Sequence, residues 1–343
     1  MANTPEPVAN FAEIRALLAA LPGPDLEAGT AAALRERQLT KPAGALGRLE
    51  ELAFWLATWQ AKHPPSVDHP RTAVFAANHG VAAQGVSAYP AEVTAQMVRN
   101  FIDGGAAVNQ LCASVDADLR VYEMALDQPT ADFSVAPAMT EFECARAMAY
   151  GMMAIEPGLD VIALGEMGIG NTTAAAALCL ALFGGTAADW VGPGTGVAGE
   201  RLAHKTLVVE RAVALHRPAM TDPFEALRHV GGLELAAIAG AILAARLARV
   251  PVLLDGYVCT AAAAVLHAAD RRALDHCVVA HRSSEPGHTR LLAALGKEPL
   301  FDLGLRLGEG SGATLAIAVL KAAAACHTGM ATFAEAAVSG KSG

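Results

Sequence analysis

Apolar residues along this chain follow two rhythms. Up to about residue 60 they recur at helical spacing: residues 11–21, 26–37 and 46–59 predict helices, with Pro22, Gly23 and Pro24 breaking the first and the proline-rich stretch 63–70 forming a loop. The rhythm then changes to short apolar runs at 72–77, 119–124, 161–164, 252–254 and 277–280, each followed by Gly, Asn, Asp or His and then by a longer helical segment. That alternation predicts a parallel sheet with helices on both faces. Residues 313–337 read as a last helix. The terminal helices are expected to form a small helical domain, residues 1–65 plus 313–343, beside an α/β domain of residues 66–312. Ligands of open α/β sheets bind at the carboxyl ends of the strands, so chemistry is sought just after each apolar run.

Composition narrows the function. Hydrophobic residues make up 53% and charged residues 17%, which excludes a disordered chain. The formal charge of −9, with no basic stripe, argues against nucleic acid or an anionic membrane surface as partner. The Ala-rich stretches 172–183 and 233–247 fall short of the ~20 residues a span needs, or carry Glu234 and Arg246, and read as buried helices. The opening MANTPEPVAN lacks a basic and then apolar leader. Six cysteines without a CxxC pair read as buried reduced thiols, which fits a cytoplasmic location.

The segments after the apolar runs are rich in glycine and ionisable groups. After the first come Asn78, His79 and Gly80, a turn at Gly85, and a helix opened by Pro90 and carrying Gln96, Met97 and Phe101, which suit either an aromatic-base pocket or the core. After the third comes GEMGIGNTT, residues 165–173: its glycines permit a sharp turn, and Asn171 starts a helix whose free N–H groups can hold an anion. Glu166 lies in that loop. The loop GPGTGVAGE, residues 192–200, is followed by Lys205 on a helix, a positive charge within reach of a phosphate. Gly194 to Gly199 formally match GxGxxG, but no strand precedes them and no acidic residue follows at the required distance, so a dinucleotide fold and an NAD-dependent dehydrogenase are set aside. Residues 280–290 offer His281, Ser283, Ser284, Glu285 and His288 without metal-ligand spacing, and no metal is expected. In RLGEGSGATLA, residues 306–316, Glu309 stands between Gly308 and Gly310 at a helix start, where it can serve as a helix-end charge or as a general base.

Taken together, LTKPAGALGRLEELA (39–53), NHGVAAQGVSAYPAEVT (78–94), GEMGIGNTT (165–173), LLDGY (253–257), SSEPGH (283–288) and RLGEGSGA (306–313) resemble, in order and over nearly the whole chain, the nicotinate-nucleotide–dimethylbenzimidazole phosphoribosyltransferases of cobalamin lower-ligand assembly. The resemblance implies a doubly wound, Rossmann-like parallel sheet, a small helical domain built from both termini, a homodimer, small-molecule substrates and no cofactor. It places Glu309 on the catalytic base and Glu166 on a second active-site carboxylate. It places Gly168, Asn171, Gly192, Gly194, Thr195, Gly196, Lys205, Ser283, Gly310 and Gly312 on the segments that hold the nucleotide phosphate, and His79, Tyr89, Gln96 and Met97 on the segment near the incoming base. One departure stands out: relatives carry Ser before the proline of the base loop and Gln on the following helix, whereas here Tyr89 precedes Pro90 and Met97 replaces the Gln. Gln96, one residue earlier, is turned away by about 100° on a helix. Transfer to a different base, and a non-catalytic nucleotide-binding protein, remain as alternatives.

Overall fold

The computed structural model describes residues 10–339. The opening residues 1–9 and the tail 340–343, which bear on the leader and on the outer limits of the expected helical domain, lie outside the described residues. Three helices come first, α1 (Phe11–Ala19), α2 (Leu26–Glu36) and α3 (Arg48–Gln60). The α/β portion follows: β1 (Pro70–Ala76), α4 (Glu92–Ile102), α5 (Ala107–Val115), β2 (Asp118–Glu123), α6 (Glu141–Met152), β3 (Val161–Met167), α7 (Asn171–Phe183), α8 (Glu200–His216), α9 (Pro223–Val230), α10 (Leu233–Leu247), β4 (Val252–Leu254), α11 (Tyr257–Ala269), β5 (Cys277–Val279), α12 (Pro286–Leu295) and α13 (Ser311–Gly329).

The five strands pair in parallel in the order β2-β1-β3-β4-β5. All five apolar runs are strands; β1 and β3 read as unbroken apolar runs because they are buried on both faces, while β2 at the sheet edge is partly exposed along its length. The order reverses direction between β1 and β3, so the crevice beyond their carboxyl ends is the topological switch point of the sheet.

Side chains alternate across the strands. Ile162, Leu164, Val252 and Leu254 join one core with α6, α7, α10 and α11, while Val161, Ala163 and Leu253 join a second core with Leu52 and Leu56 of α3 and Ala313, Ala316 and Ile317 of α13. Helices α7, α10 and α11 are apolar all round because they are enclosed by the sheet and by outer helices. Helix α10 meets α6 where Gly240 and Gly151 let backbones touch: a Cβ on either would overlap the opposing main chain.

The terminal segments do come together. Arg35 of α2 donates to the carbonyls of His327, Thr328 and Met330, and Leu39 bridges to Thr332. Yet α13 also covers the sheet, so one core runs through the two regions, and the division into residues 1–65 plus 313–343 and 66–312 stays a proposed description of the chain. All six cysteines are free thiols, and five of them are buried.

Candidate active site

Glu166 is the sixth residue of β3, not part of the loop beyond it. The strand continues past the apolar run through Gly165, Glu166 and Met167 because β1 pairs with it to the end, Phe75 opposite Glu166 and Ala76 opposite Met167. Strand alternation therefore splits two adjacent residues: Gly165 faces α13 and Glu166 faces α10.

Gly165 is where the strand meets the turn before α13. A Cβ there would lie 2.6 Å from Gly310 Cα and 2.7 Å from Glu309 C, so only glycine admits the turn. The turn is held by Glu309 N–H donating to the Glu166 carbonyl at 3.2 Å. Gly308, Glu309 and Gly310 all have positive φ, of 81°, 63° and 75°. For Glu309 this left-handed backbone is costly, by about 1 kcal/mol or more, and the flanking glycines and the Glu166 carbonyl are what impose it.

Both carboxyls are buried, Glu166 with 7% and Glu309 with 5% of its surface exposed. Burial first, and then the charges of Asp255, Glu234 and Glu309, hold the Glu166 carboxyl well above the carboxylate range, partly offset by a short hydrogen bond from Asn171 Nδ2. Burial and the nearby Asp255 push Glu309 up to about 7. A carboxylate poised near neutrality can take a proton and return it.

Asp255 follows β4 directly. Its Oδ1 accepts from Ala313 N–H at 2.9 Å, capping the first turn of α13, and its Oδ2 is buried without a hydrogen-bond partner. His281, after β5, lies 3.4 Å from the same carboxylate. Burial opposes a charge on His281, but Asp255 outweighs it and raises the imidazole above its usual range. His281 packs against Gly312, where a Cβ would overlap the ring, so Gly312 serves the close approach of this histidine to α13.

The glycine loops form the opposite wall. The turn at Gly168 and Gly170 leads into α7, with Gly170 at φ 103° and Ile169 N–H donating to Thr94 Oγ1 at 3.1 Å. The loop of Gly192, Gly194, Thr195 and Gly196 is preceded by a 3₁₀ turn, Ala187–Asp189, and not by a strand, which removes the dinucleotide reading of its glycines. Lys205 is buried rather than presented on a helix face. Its Nζ donates to Thr172 Oγ1 at 2.9 Å and to the Gly192 carbonyl at 3.0 Å, tying the two loops together. An ammonium has three donors, and these bonds use two of them. Burial lowers this ammonium to about 8, with Glu285 opposing the fall.

Glu285 is legible in the sequence only as part of a polar stretch. It accepts from Gly194 N–H at 2.8 Å, and burial raises its carboxyl against the pull of Lys205, that N–H and Arg306. A Cβ on Gly192 would overlap it, so this glycine makes room for the carboxylate. Ser283 is buried beside it, its Oγ accepting from Glu285 N–H at 3.3 Å.

Tyr89 is 56% exposed. The loop before it is tied to the loop of Gly192 to Gly196 by Thr195, whose Oγ1 accepts from Ala88 N–H at 3.0 Å and meets Ser87 Oγ at 2.9 Å. Met97 is half-buried against the cluster of Val74, Phe101 and Val108, which Met167 also joins, while Gln96 is exposed on another face of α4. The His79 ring is fully buried and shares a 2.6 Å hydrogen bond with Glu234. Among the described residues, no three His, Cys, Asp or Glu side chains are grouped to hold a metal ion.

This geometry matches known proteins across its length. A phosphoribosyltransferase family model, DBI_PRT, matches residues 21–338. The chain belongs to this family. Curated relatives include the nicotinate-nucleotide–dimethylbenzimidazole phosphoribosyltransferases of Sinorhizobium medicae and Rhizobium meliloti, each 60% identical over 96% of this chain and 98% of the relative. The one from Brucella abortus is 59% identical over 96% of this chain and 97% of its own length. Among solved structures, CobT from Thermus thermophilus superposes with a TM-score of 0.87 at 45% identity, over 92% of this chain and 100% of that one. A second crystal structure from the same organism, named as the dimethylbenzimidazole phosphoribosyltransferase, gives 0.85 at 44% identity with the same coverage. The family's fold, a parallel sheet flanked by helices, is the one observed.

On the phosphate role that the family resemblance implies for Lys205, its replacement by Ala is expected to raise the KM for the nucleotide by about 10- to 100-fold, with a smaller change in kcat, because it takes away that donor and loosens the two loops it ties together. Steady-state kinetics with varied nucleotide checks this; a fall confined to kcat contradicts it.

Proposed function

We propose that this chain transfers the phosphoribosyl group of nicotinate mononucleotide to 5,6-dimethylbenzimidazole, releasing nicotinate and forming α-ribazole 5′-phosphate for the lower ligand of cobalamin. The observation that carries the reading is Glu309: a buried carboxyl poised near pH 7, fixed in a left-handed turn against the end of β3, at the switch point of the sheet. Binding alone needs no such group.

In the donor, the glycosidic nitrogen belongs to a pyridinium. When the C1′–N bond breaks, its electron pair goes to the nicotinate ring, which leaves with a neutral nitrogen and needs no acid. The sugar carbon gains oxocarbenium character, and any anionic fraction of Glu166 stabilises it. One nitrogen of the benzimidazole attacks C1′ while the other carries the proton. Glu309 accepts a hydrogen bond from that N–H, makes the opposite nitrogen more nucleophilic, and takes the proton as the new bond forms. The α7 N-terminus, the loop at Gly192 to Gly196, Lys205 and Ser283 hold the phosphate, and this remote binding orients C1′ between base and carboxylate. Tyr89, Met97 and Met167 supply flat and polarisable walls for the heterocycle. The same reading extends, on the family resemblance, to a cytoplasmic homodimer.

The test incubates the purified chain with nicotinate mononucleotide and 5,6-dimethylbenzimidazole and follows free nicotinate and the new ribotide by chromatography. Both products are expected. Product only with another base keeps the reaction and reassigns the walls at Tyr89 and Met97. No product with any base, from protein that still binds the nucleotide, overturns the reading.

A further inference from the structure

We infer that His79 and Glu234 are a positioning pair that fixes the end of β3 and the Gly168 turn, and thereby Glu166, for the reaction proposed above. Their side chains are fully buried and joined by a 2.6 Å hydrogen bond, although 155 residues separate them in sequence. His79 Nδ1 and Glu234 Oε2 have no further partner, so the shared bond is the main compensation for burying both groups.

The backbone is built around the pair. A Cβ on Gly168 would lie 3.3 Å from Glu234 Oε1, 3.3 Å from His79 Nε2 and 2.6 Å from the Ala77 carbonyl, so the pair sits directly beneath the turn two residues after Glu166. A Cβ on Gly170 would come within 3.2 Å of His79 Cβ, and one on Gly232 would overlap the imidazole. The pair therefore connects three segments: the chain leaving β1, the turn from β3 to α7, and the first turn of α10. Nothing in a purely apolar packing requires a carboxylate in the first turn of a helix as buried as α10.

Glu166 is faced by charged or titratable groups from every side: Glu234 on α10, Asp255 beyond β4, Glu309 before α13 and Cys259 on α11, with Asn171 of α7 hydrogen-bonded to it. Glu234 contributes to the upward shift of the Glu166 carboxyl, so a change at Glu234 reaches Glu166 electrostatically as well as through the backbone.

Three variants test the role. His79→Leu removes the hydrogen-bond donor and is expected to lower kcat about 100-fold with the nucleotide KM within about threefold of wild type, because the reacting carboxylates and not the phosphate site are displaced. His79→Gln keeps an N–H near the Nε2 position and is expected to restore kcat to within about tenfold of wild type. Glu234→Gln keeps an acceptor and nearly the same shape but weakens the bond to the imidazole, and is expected to lower kcat about tenfold with the nucleotide KM within about threefold of wild type. Equal losses for Leu and Gln at position 79, or an unchanged kcat in Glu234→Gln, would reduce the pair to packing. If His79→Leu fails to fold, the isosteric Glu234→Gln decides alone. Wild-type protein that exchanges no base removes the reaction itself, and with it this role; active wild type with indifferent variants removes the role only.

Discussion

Glu309→Gln is expected to lose about 10²–10⁴-fold in kcat while keeping its nucleotide affinity, since the amide preserves the shape of the turn and removes only the basicity. In wild type, kcat should rise with pH through about 7, as the carboxyl that burial and Asp255 push up loses its proton. The variant's residual rate should lack that limb. Stability should move the other way. The folded pKa of about 7 lies above the ordinary 4.5, so the native state holds the extra proton between those values, and the stability it confers is complete below 4.5 and lost as pH rises through 7. At roughly 1.4 kcal/mol per unit, the ceiling is about 3 kcal/mol, reduced by whatever solvent enters the crevice. Glu309→Gln should therefore melt higher than wild type at pH 8 and no higher at pH 4, which thermal denaturation at the two pH values checks. A variant that turns over normally at saturating substrate removes Glu309 from the role of base.

The second large effect is expected at a residue with no side chain. Gly165→Ala sets a methyl within 2.7 Å of the Glu309 carbonyl carbon and 2.6 Å of Gly310 Cα, distances no real Cβ tolerates. The partner is backbone and cannot rotate away, so the turn must back off from β3 and take the Glu309 carboxylate with it. Displacement of a catalytic group by about 1 Å costs on the order of 10²-fold, and the overpacking a further ~1–3 kcal/mol of stability. Unchanged kcat in a well-folded Gly165→Ala protein would mean that the contact between β3 and the turn does not set Glu309. By contrast, Gly196 and Gly199 have open space around a would-be Cβ, and substitutions there are strained only by their positive φ.

Much of this is visible in the chain alone. The inner strands show as apolar runs because both faces of the sheet are covered there, the edge strand β2 is partly exposed and mixes charged with apolar residues, and the helices of the first 60 residues show through their spacing. Glu309 is exposed as a candidate by its glycine neighbours, which mark a backbone bent for a purpose. The end of β3 reads short in the sequence: Gly165 and Glu166 look like loop residues, and only pairing with β1 keeps them extended. Asp255 carries a usable signal, an acidic residue directly after an apolar run. Glu234 carries a weaker one, a carboxylate inside an apolar helix, which by itself marks only a charge that interrupts the run. Lys205 reads as a phosphate ligand on a helix, and burial between Thr172 and Gly192 makes it a tie between loops as well.

Sequence by itself determined the elements, because period and burial are written locally, and it determined the chemistry on offer, because glycines flanking a carboxylate or opening a helix leave a local trace. Which groups meet was decided by the tertiary structure. The strand order β2-β1-β3-β4-β5 brings the loops after β1 and β3 together at the switch point, and with them His79 onto Glu234 and Glu166 under the Glu309 turn. Those contacts join residues far apart in the chain, and each depends on strand register and on the absence of a Cβ at one glycine, neither of which a local pattern encodes.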